Sequence, residues 1–316
     1  MSPSAKGVFA ILLACTIWGL SPIFYKALSH VPAYEVLAHR TLWSFVFFIL
    51  ILMAQSRLSA LWNAVVNRKT ALPLLLGSLM ISINWFVYIL SIQIERTTEA
   101  SLGYYISPLV TVLIARFFFA ETMQPAQWLA IALAALAVIL LTYGLGVAPW
   151  VSLLLAFSFA LYGAIKKRVT VGPVVSVTSE ILFFLPIGLV FLAYAHAGGN
   201  GAFGADMWDS FMLILSGPLT AVPLFLFSHA AHNVRLSLVG ILQYINPTLQ
   251  FVCAVIVFGE PFGTWHSIAF ALIWSAIAVY SLSALRQDRA SRRASMAAAG
   301  VADHVRKSPS DGSAKS

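Results

Sequence analysis

The sequence predicts an all-α integral membrane protein, with ten transmembrane helices set as two inverted five-helix repeats. Three observations point there. Hydrophobic residues make up 60% of the 316 positions and charged ones 9%, against about a quarter charged in an ordinary soluble domain; the mean hydropathy is +0.88. The apolar residues gather into ten continuous runs rather than alternating segments, which selects helices over a barrel. A signature also returns: Tyr105-Ile106-Ser107-Pro108 with Glu121 thirteen positions after the proline, then Tyr244-Ile245-Asn246-Pro247 with Glu260 at the same interval. The two prolines and the two acids are each 139 apart (247 − 108 and 260 − 121).

The runs cover 7–28, 33–54, 71–94, 100–119, 124–145, 147–165, 174–196, 208–230, 236–258 and 264–285, each near the roughly 20 residues a bilayer requires. Their connections are short. The longest polar ones, 55–70 and 197–207, cannot hold a catalytic domain, so any chemistry belongs between helices. The first run does not read as a cleaved leader, being too long, preceded only by Lys6 and without a small-residue cleavage pattern. Cys15 and Cys253 fall inside apolar runs and imply no disulfide framework.

The net charge is +8, and seven of the nineteen Lys and Arg lie beyond residue 285, in a stretch rich in Ser and Ala. Residues 286–316 therefore read as a disordered, basic, membrane-proximal tail attracted to anionic lipid, not as a nucleic-acid-binding element. Basic residues also set the topology. With the N-terminus in the cytoplasm, the cytoplasmic side receives Arg57, Arg68, Lys69, Arg116, Lys166-Lys167-Arg168, Arg235 and the arginines of the tail. The other side receives Lys26 and Arg96, and its longest connection carries Asp206 with no Lys or Arg. Both termini are expected inside.

The duplication extends past its signature. Pro32 and Pro173 open the second and seventh runs, Lys26 and Lys167 each close the run before, and Gly77 and Gly217 lie in the third and eighth. Each unit holds five spans, an odd number, so the second enters the membrane from the opposite side. The units are 1–145 and 146–285, followed by the tail.

Charged groups inside a span are costly, about 2.5–3.5 kcal/mol on insertion scales, and mark functional positions. Lys26, Arg116 and Lys166 lie near run ends and read as interfacial anchors. Arg40 lies about 10 Å into its run, Glu35 and His39 share a face at i, i+4, and Glu180 sits at comparable depth in the seventh run. They read either as groups lining a pathway for a polar or ionised solute, or a proton, or as structural pairs fixing a helix mouth. Asn84, Trp85 and Tyr88 of the third run, Ser101, Tyr104, Tyr105 and Ser107 of the fourth, and Gln243, Tyr244 and Asn246 of the ninth form an aromatic and amide set. Such a set suits a partly apolar metabolite or drug; the competing reading is hydrogen bonding between helices. Pro108 and Pro247 should kink equivalent helices and read as gating kinks or as static packing. Glu121 and Glu260, just past run ends, read as capping or surface groups. His229 and His232 stand three apart with no carboxylate three or four residues away, a weak metal pattern better read as packing. No catalytic residue, metal site or cofactor is implied, and there is no phosphate-binding loop or nucleophile elbow.

Several stretches resemble the EamA-type proteins of the drug/metabolite transporter superfamily, and among them the RarD family. These are Ile17-Trp18-Gly19 with Lys26, Glu35 through Arg40 with Trp43-Ser44, Asn84-Trp85, Glu99-Ala100-Ser101-Leu102-Gly103-Tyr104, Phe157-Ser158-Phe159, Glu180 with Pro186, and Gln243-Tyr244-Ile245 with Pro247. The family pattern at 105–107 would carry Asn before the proline; here Ser107 keeps the kink without the amide. The resemblance implies a multi-pass permease of the bacterial cytoplasmic membrane, with a central cavity bounded by spans 1–4 and 6–9 and with spans 5 and 10 peripheral. The expected function is secondary transport of a small organic metabolite or drug by alternating access, with protons as a candidate coupling ion through Glu35, His39 or Glu180. An intramembrane enzyme using His229, His232 or Glu180, or a scaffold that transports nothing, is the alternative.

Overall fold

The structure is a computed structural model and describes residues 3–119, 123–146, 148–166, 168–199, 201–233, 242–283 and 286. Its helices begin and end at the punctuation of the sequence. Helix α1 spans Pro3–Ala27 and α2 spans Ala33–Ala54, directly after Pro32. A short α3, Leu58–Val66, leads to α4, Arg68–Gln93, whose first turn is capped by Asn67 accepting from the Lys69 N–H at 3.0 Å. Helix α5 covers Thr97–Phe119. Helix α6, Pro125–Leu145, starts with proline at its first position and stops at Gly146, whose φ of 69° is the left-handed geometry that ends helices. Then follow α7, Trp150–Lys166; α8, Pro173–Ala197; α9, Met207–Asn233; α10, Ile245–Val252; and α11, Thr264–Ser283. Among the described residues there is no β-strand, and seven helices are long and apolar enough to cross a membrane.

Packing interleaves the two parts of the chain. Helix α2 lies against α8 and α9, α1 against α9 and α10, α4 against α7 and α8, and α5 against α7 and α10. Close approach depends on small residues, as is usual between membrane helices. A Cβ on Gly217 of α9 would fall 2.6 Å from the Trp43 backbone of α2, and one on Gly103 of α5 would fall 2.7 Å from the Ser152 carbonyl of α7. Helices α6 and α11 add an outer layer through Ala130, Ala134 and Ala137 and through Ala269, Phe270 and Ile273, packed on Leu102, Tyr105 and Leu109 of α5.

Three features depart from the sequence expectations. The 55–70 connection contains α3, because Leu61 and Ala64 are three apart and bury one face against Leu52, Leu74 and Val175. Its other face leaves Leu58, Trp62 and Val66 exposed. Pro247 does not kink a continuous helix over 236–258: a turn at Gln243–Tyr244 precedes α10, and Pro247 falls at the helix's third residue, where a missing N–H costs nothing. Pro108, by contrast, lies inside α5. After α10 the chain widens into a π-helical turn, Cys253–Val257, and Glu260 then reaches back to a different helix. Its carboxylate accepts from the Thr97 and Thr98 N–H groups, both at 2.7 Å, and from the Thr98 hydroxyl at 2.8 Å, capping α5. Glu121, Lys167, Arg235, residues 287–316 and the side chains of His229 and His232 lie outside the described residues.

Candidate functional site: a central cavity

Helix α2 sends its three polar residues to two places. Glu35 and His39 share one face, while Arg40, one residue and about 100° further round, faces elsewhere. Glu35 is fully buried, and its Oε1 accepts from the Ala202 N–H at 2.7 Å and lies 4.0 Å from His39 Nε2. The His39 ring stacks on Phe203, with ring centres 5.0 Å apart. These two residues therefore fasten the 198–206 connection to the mouth of α2 and do not line the cavity. Among the described residues no hydrogen-bond partner reaches Glu35 Oε2 or either His39 nitrogen.

Arg40 faces the bundle axis, where a cavity of about 560 Å³ opens between helices. Helices α1, α2, α4, α5, α7, α8, α9 and α10 all contribute to its wall, and α6 and α11 supply no lining residue. Arg40 is 6% exposed; its Nε donates to Thr220 Oγ1 of α9 at 2.7 Å, and its guanidinium carbon lies 3.9 Å from the centre of the Trp85 ring. Among the described residues no carboxylate comes within 4 Å of it. Glu180, 3% exposed, is by contrast fully partnered. Its Oε1 receives Lys166 Nζ at 2.6 Å and the Ser176 hydroxyl at 3.2 Å, and its Oε2 accepts from the Tyr162 hydroxyl at 3.0 Å. Lys166 is thus no interfacial anchor; it turns inward because a buried carboxylate without a cation would be far costlier.

The aromatic and amide set divides. Asn84, Trp85, Tyr88, Tyr104, Gln243, Tyr244 and Asn246 line the cavity with Ser107, Pro108 and Pro247. The Asn84 amide is nevertheless consumed by packing. Its Nδ2 donates to the Leu155 carbonyl and to Ser158 Oγ, both at 3.0 Å, and its Oδ1 accepts from the Tyr104 hydroxyl at 2.9 Å. Tyr88 shares a 2.8 Å hydrogen bond with Ser21. Two candidates lie off the cavity. Ser101 donates to the Thr98 carbonyl one turn back at 2.8 Å, and Tyr105 faces the outer layer, bonded to Thr248 at 2.7 Å and edge-on to Phe270.

The cavity is lined asymmetrically. Val169, Val171 and Pro173, on and beside the connection between α7 and α8, line it. No lining residue comes from the described parts of the connections at 28–32, 94–96, 198–206 or 258–263. There a buried cluster closes the bundle, with Tyr25, Leu28, Val31 and Val36 packed on Ile89, Ile92 and Leu213. Lys26 and Glu95 pair beyond it at 3.1 Å.

Sequence reasoning missed Tyr162, Lys166, Ser176 and Thr220 as site residues. For the first three a signal existed. Tyr162 and Lys166, and Ser176 and Glu180, are two i, i+4 pairs flanking one short connection, across which their side chains meet. Thr220 meets Arg40 across 180 positions, and nothing local marks it.

A family model described as the EamA-like transporter family matches residues 5–143. The "Uncharacterized transporter YojE" of Bacillus subtilis (strain 168) is 40% identical over 291 residues, covering 91% of this chain and 97% of its own length. The "Protein RarD" of Escherichia coli (strain K12) is 35% identical over 290 residues, covering 90% and 96%. The chain belongs to the RarD family of EamA-type proteins. A solved crystal structure 20% identical in sequence superposes on 90% of this RarD-family chain and 99% of its own, with a TM-score of 0.58, so the fold is shared. RarD-family membership makes the chain a multi-pass membrane protein of a bacterial drug/metabolite-type transporter family, and it points to a transporter rather than an enzyme.

Proposed function

We propose that this RarD-family protein is a secondary transporter that moves a small organic solute across the cytoplasmic membrane by alternating access through the central cavity. The observation that carries the reading is the cavity itself: buried in the bundle, walled by eight helices, furnished with Arg40, Lys166 and Glu180, and closed at one end by a packed apolar cluster. A cavity sealed at one face is what one state of a two-state passage looks like. Ten spans in two inverted five-helix units, 1–145 and 146–285, both termini cytoplasmic, complete the proposal. The helix pairings support it. Exchanging the units turns α1 against α9 into α7 against α4, and α5 against α7 into α10 against α1; both partners of each exchange are present, and α2 against α8 maps onto itself. On the charge-derived topology the end lined by Val169 and Val171 faces the cytoplasm. Proton coupling, if it operates, has Glu180 at the cavity; Glu35 and His39 act from the far seal.

Labelling tests this without knowing the substrate. With Cys15 and Cys253 replaced by Ser, Ile81→Cys puts one thiol in the cavity wall. A membrane-impermeant maleimide should label it readily from the cytoplasmic face of inverted vesicles, and more slowly, yet measurably, from the outer face of intact cells. Labelling from the cytoplasmic face alone, unchanged by any imposed ion gradient, would mean a blind pocket and end the alternating-access reading.

A further inference from the structure

The charges facing the cavity do not balance. Two cations, Arg40 and Lys166, share it with one carboxylate, Glu180. Lys166 already satisfies that carboxylate, and Ser78 and Gly77 of α4 lie against the same group, through the Glu180 carbonyl at 2.6 Å and beside its Oε1. Arg40 meets α4 at Trp85, seven positions or about 10 Å further along the helix. The two charged sites are therefore separate. Of the five N–H groups of its guanidinium, Arg40 uses the Nε one on Thr220, and its two terminal nitrogens have no hydrogen-bond partner among the described residues. A guanidinium this buried needs a counter-charge, and the acid on its own helix, Glu35, lies off the cavity and does not pair with it.

We propose that the cavity takes small organic monoanions, carboxylates with an apolar or aromatic body, and that Arg40 holds the carboxylate. This rests on reading the cavity as the transport site. A planar fork with two free edges matches a carboxylate in two parallel hydrogen bonds, a geometry a lysine does not offer. Thr220 fixes the fork from one side and the Trp85 face from another, so the guanidinium is oriented before the ligand arrives. One carboxylate restores neutrality; a dianionic phosphate leaves an unmatched charge, and an organic cation adds a third. Tyr88, Tyr104 and Phe184 supply wall for the rest of the molecule, and about 560 Å³ lies within the range of small-molecule sites.

The test uses purified full-length protein, with benzoate, phenylacetate and indole-3-acetate titrated against their uncharged amides and against zwitterionic phenylalanine. Each acid should bind about tenfold to a hundredfold more tightly than its amide. Arg40→Gln should abolish that preference, and Arg40→Lys should retain only part of it. The wild-type comparison of acid with amide stands even where a variant does not fold. Equal affinity for acid and amide, tighter binding of phenylalanine than of phenylacetate, or no binding of any acid overturns the assignment. Counterflow of the same acids in proteoliposomes is read separately. Arg40-dependent binding without exchange keeps the ligand class and overturns transport.

Discussion

Lys166 and Glu180 show how a residue's role is decided by its neighbours rather than by its depth. Lys166 ends α7, where a lysine normally reaches outward for water, yet it points to a carboxylate that is 3% exposed. Removing one member of such a pair strands the other. Glu180→Gln and Lys166→Met should each destabilise the protein by about 3 kcal/mol, whereas the double variant should lie within about 1 kcal/mol of the parent. Unfolding in detergent, analysed as a double-mutant cycle, measures this, and additive effects would show that the two residues are not coupled. At this scale the sequence marked Arg40 and Glu180 because intramembrane charge is rare. It left open whether Glu35 and His39 line a pathway or fix a helix mouth, since the answer depends on Ala202 and Phe203 arriving from more than 160 positions away.

At the level of elements, the most instructive contact is the cap that Glu260 places on α5. A carboxylate one residue past Gly259 was legible as a capping group; that it caps a helix 163 positions earlier was not, because caps are ordinarily local. Glu260→Ala leaves two N–H groups of α5 without acceptors and should cost about 2–4 kcal/mol, while Glu260→Gln, which retains a neutral acceptor, should cost less than half of that. Hydrogen exchange at Thr97 and Thr98 should accelerate in step with the loss. Unchanged protection at both amides would show that the cap contributes nothing. The helices themselves were readable from apolar runs of bilayer length, with the break before α10 as the main exception. Pro247 announced an interruption but not its form, since a kink within a helix and a fresh start two residues upstream use the same residue.

For the molecule as a whole, the sequence carries a returning signature, but not the way the two halves of the chain pack. Offsets in sequence relate α1 to α7 and α4 to α9, but only the packing reveals that α1, α2, α4 and α5 take their principal partners from the second half of the chain. The proposed inversion makes a prediction about sides. On a background without native thiols, Lys26→Cys should react with an impermeant maleimide from outside the cell and Lys167→Cys only after the membrane is inverted. Reaction of both from the same face would remove the inverted arrangement and its main support for two-state passage. Helix α3 sets a further condition on the whole. With Leu61 and Ala64 turned inward and Trp62 turned out, it joins α2 to α4 with the two-faced pattern of a helix that lies in a membrane interface. Lifting it into water or sinking it into hydrocarbon is unfavourable in either direction. On the charge-derived topology α3 would therefore fix the level of the cytoplasmic ends of α2 and α4 in the bilayer.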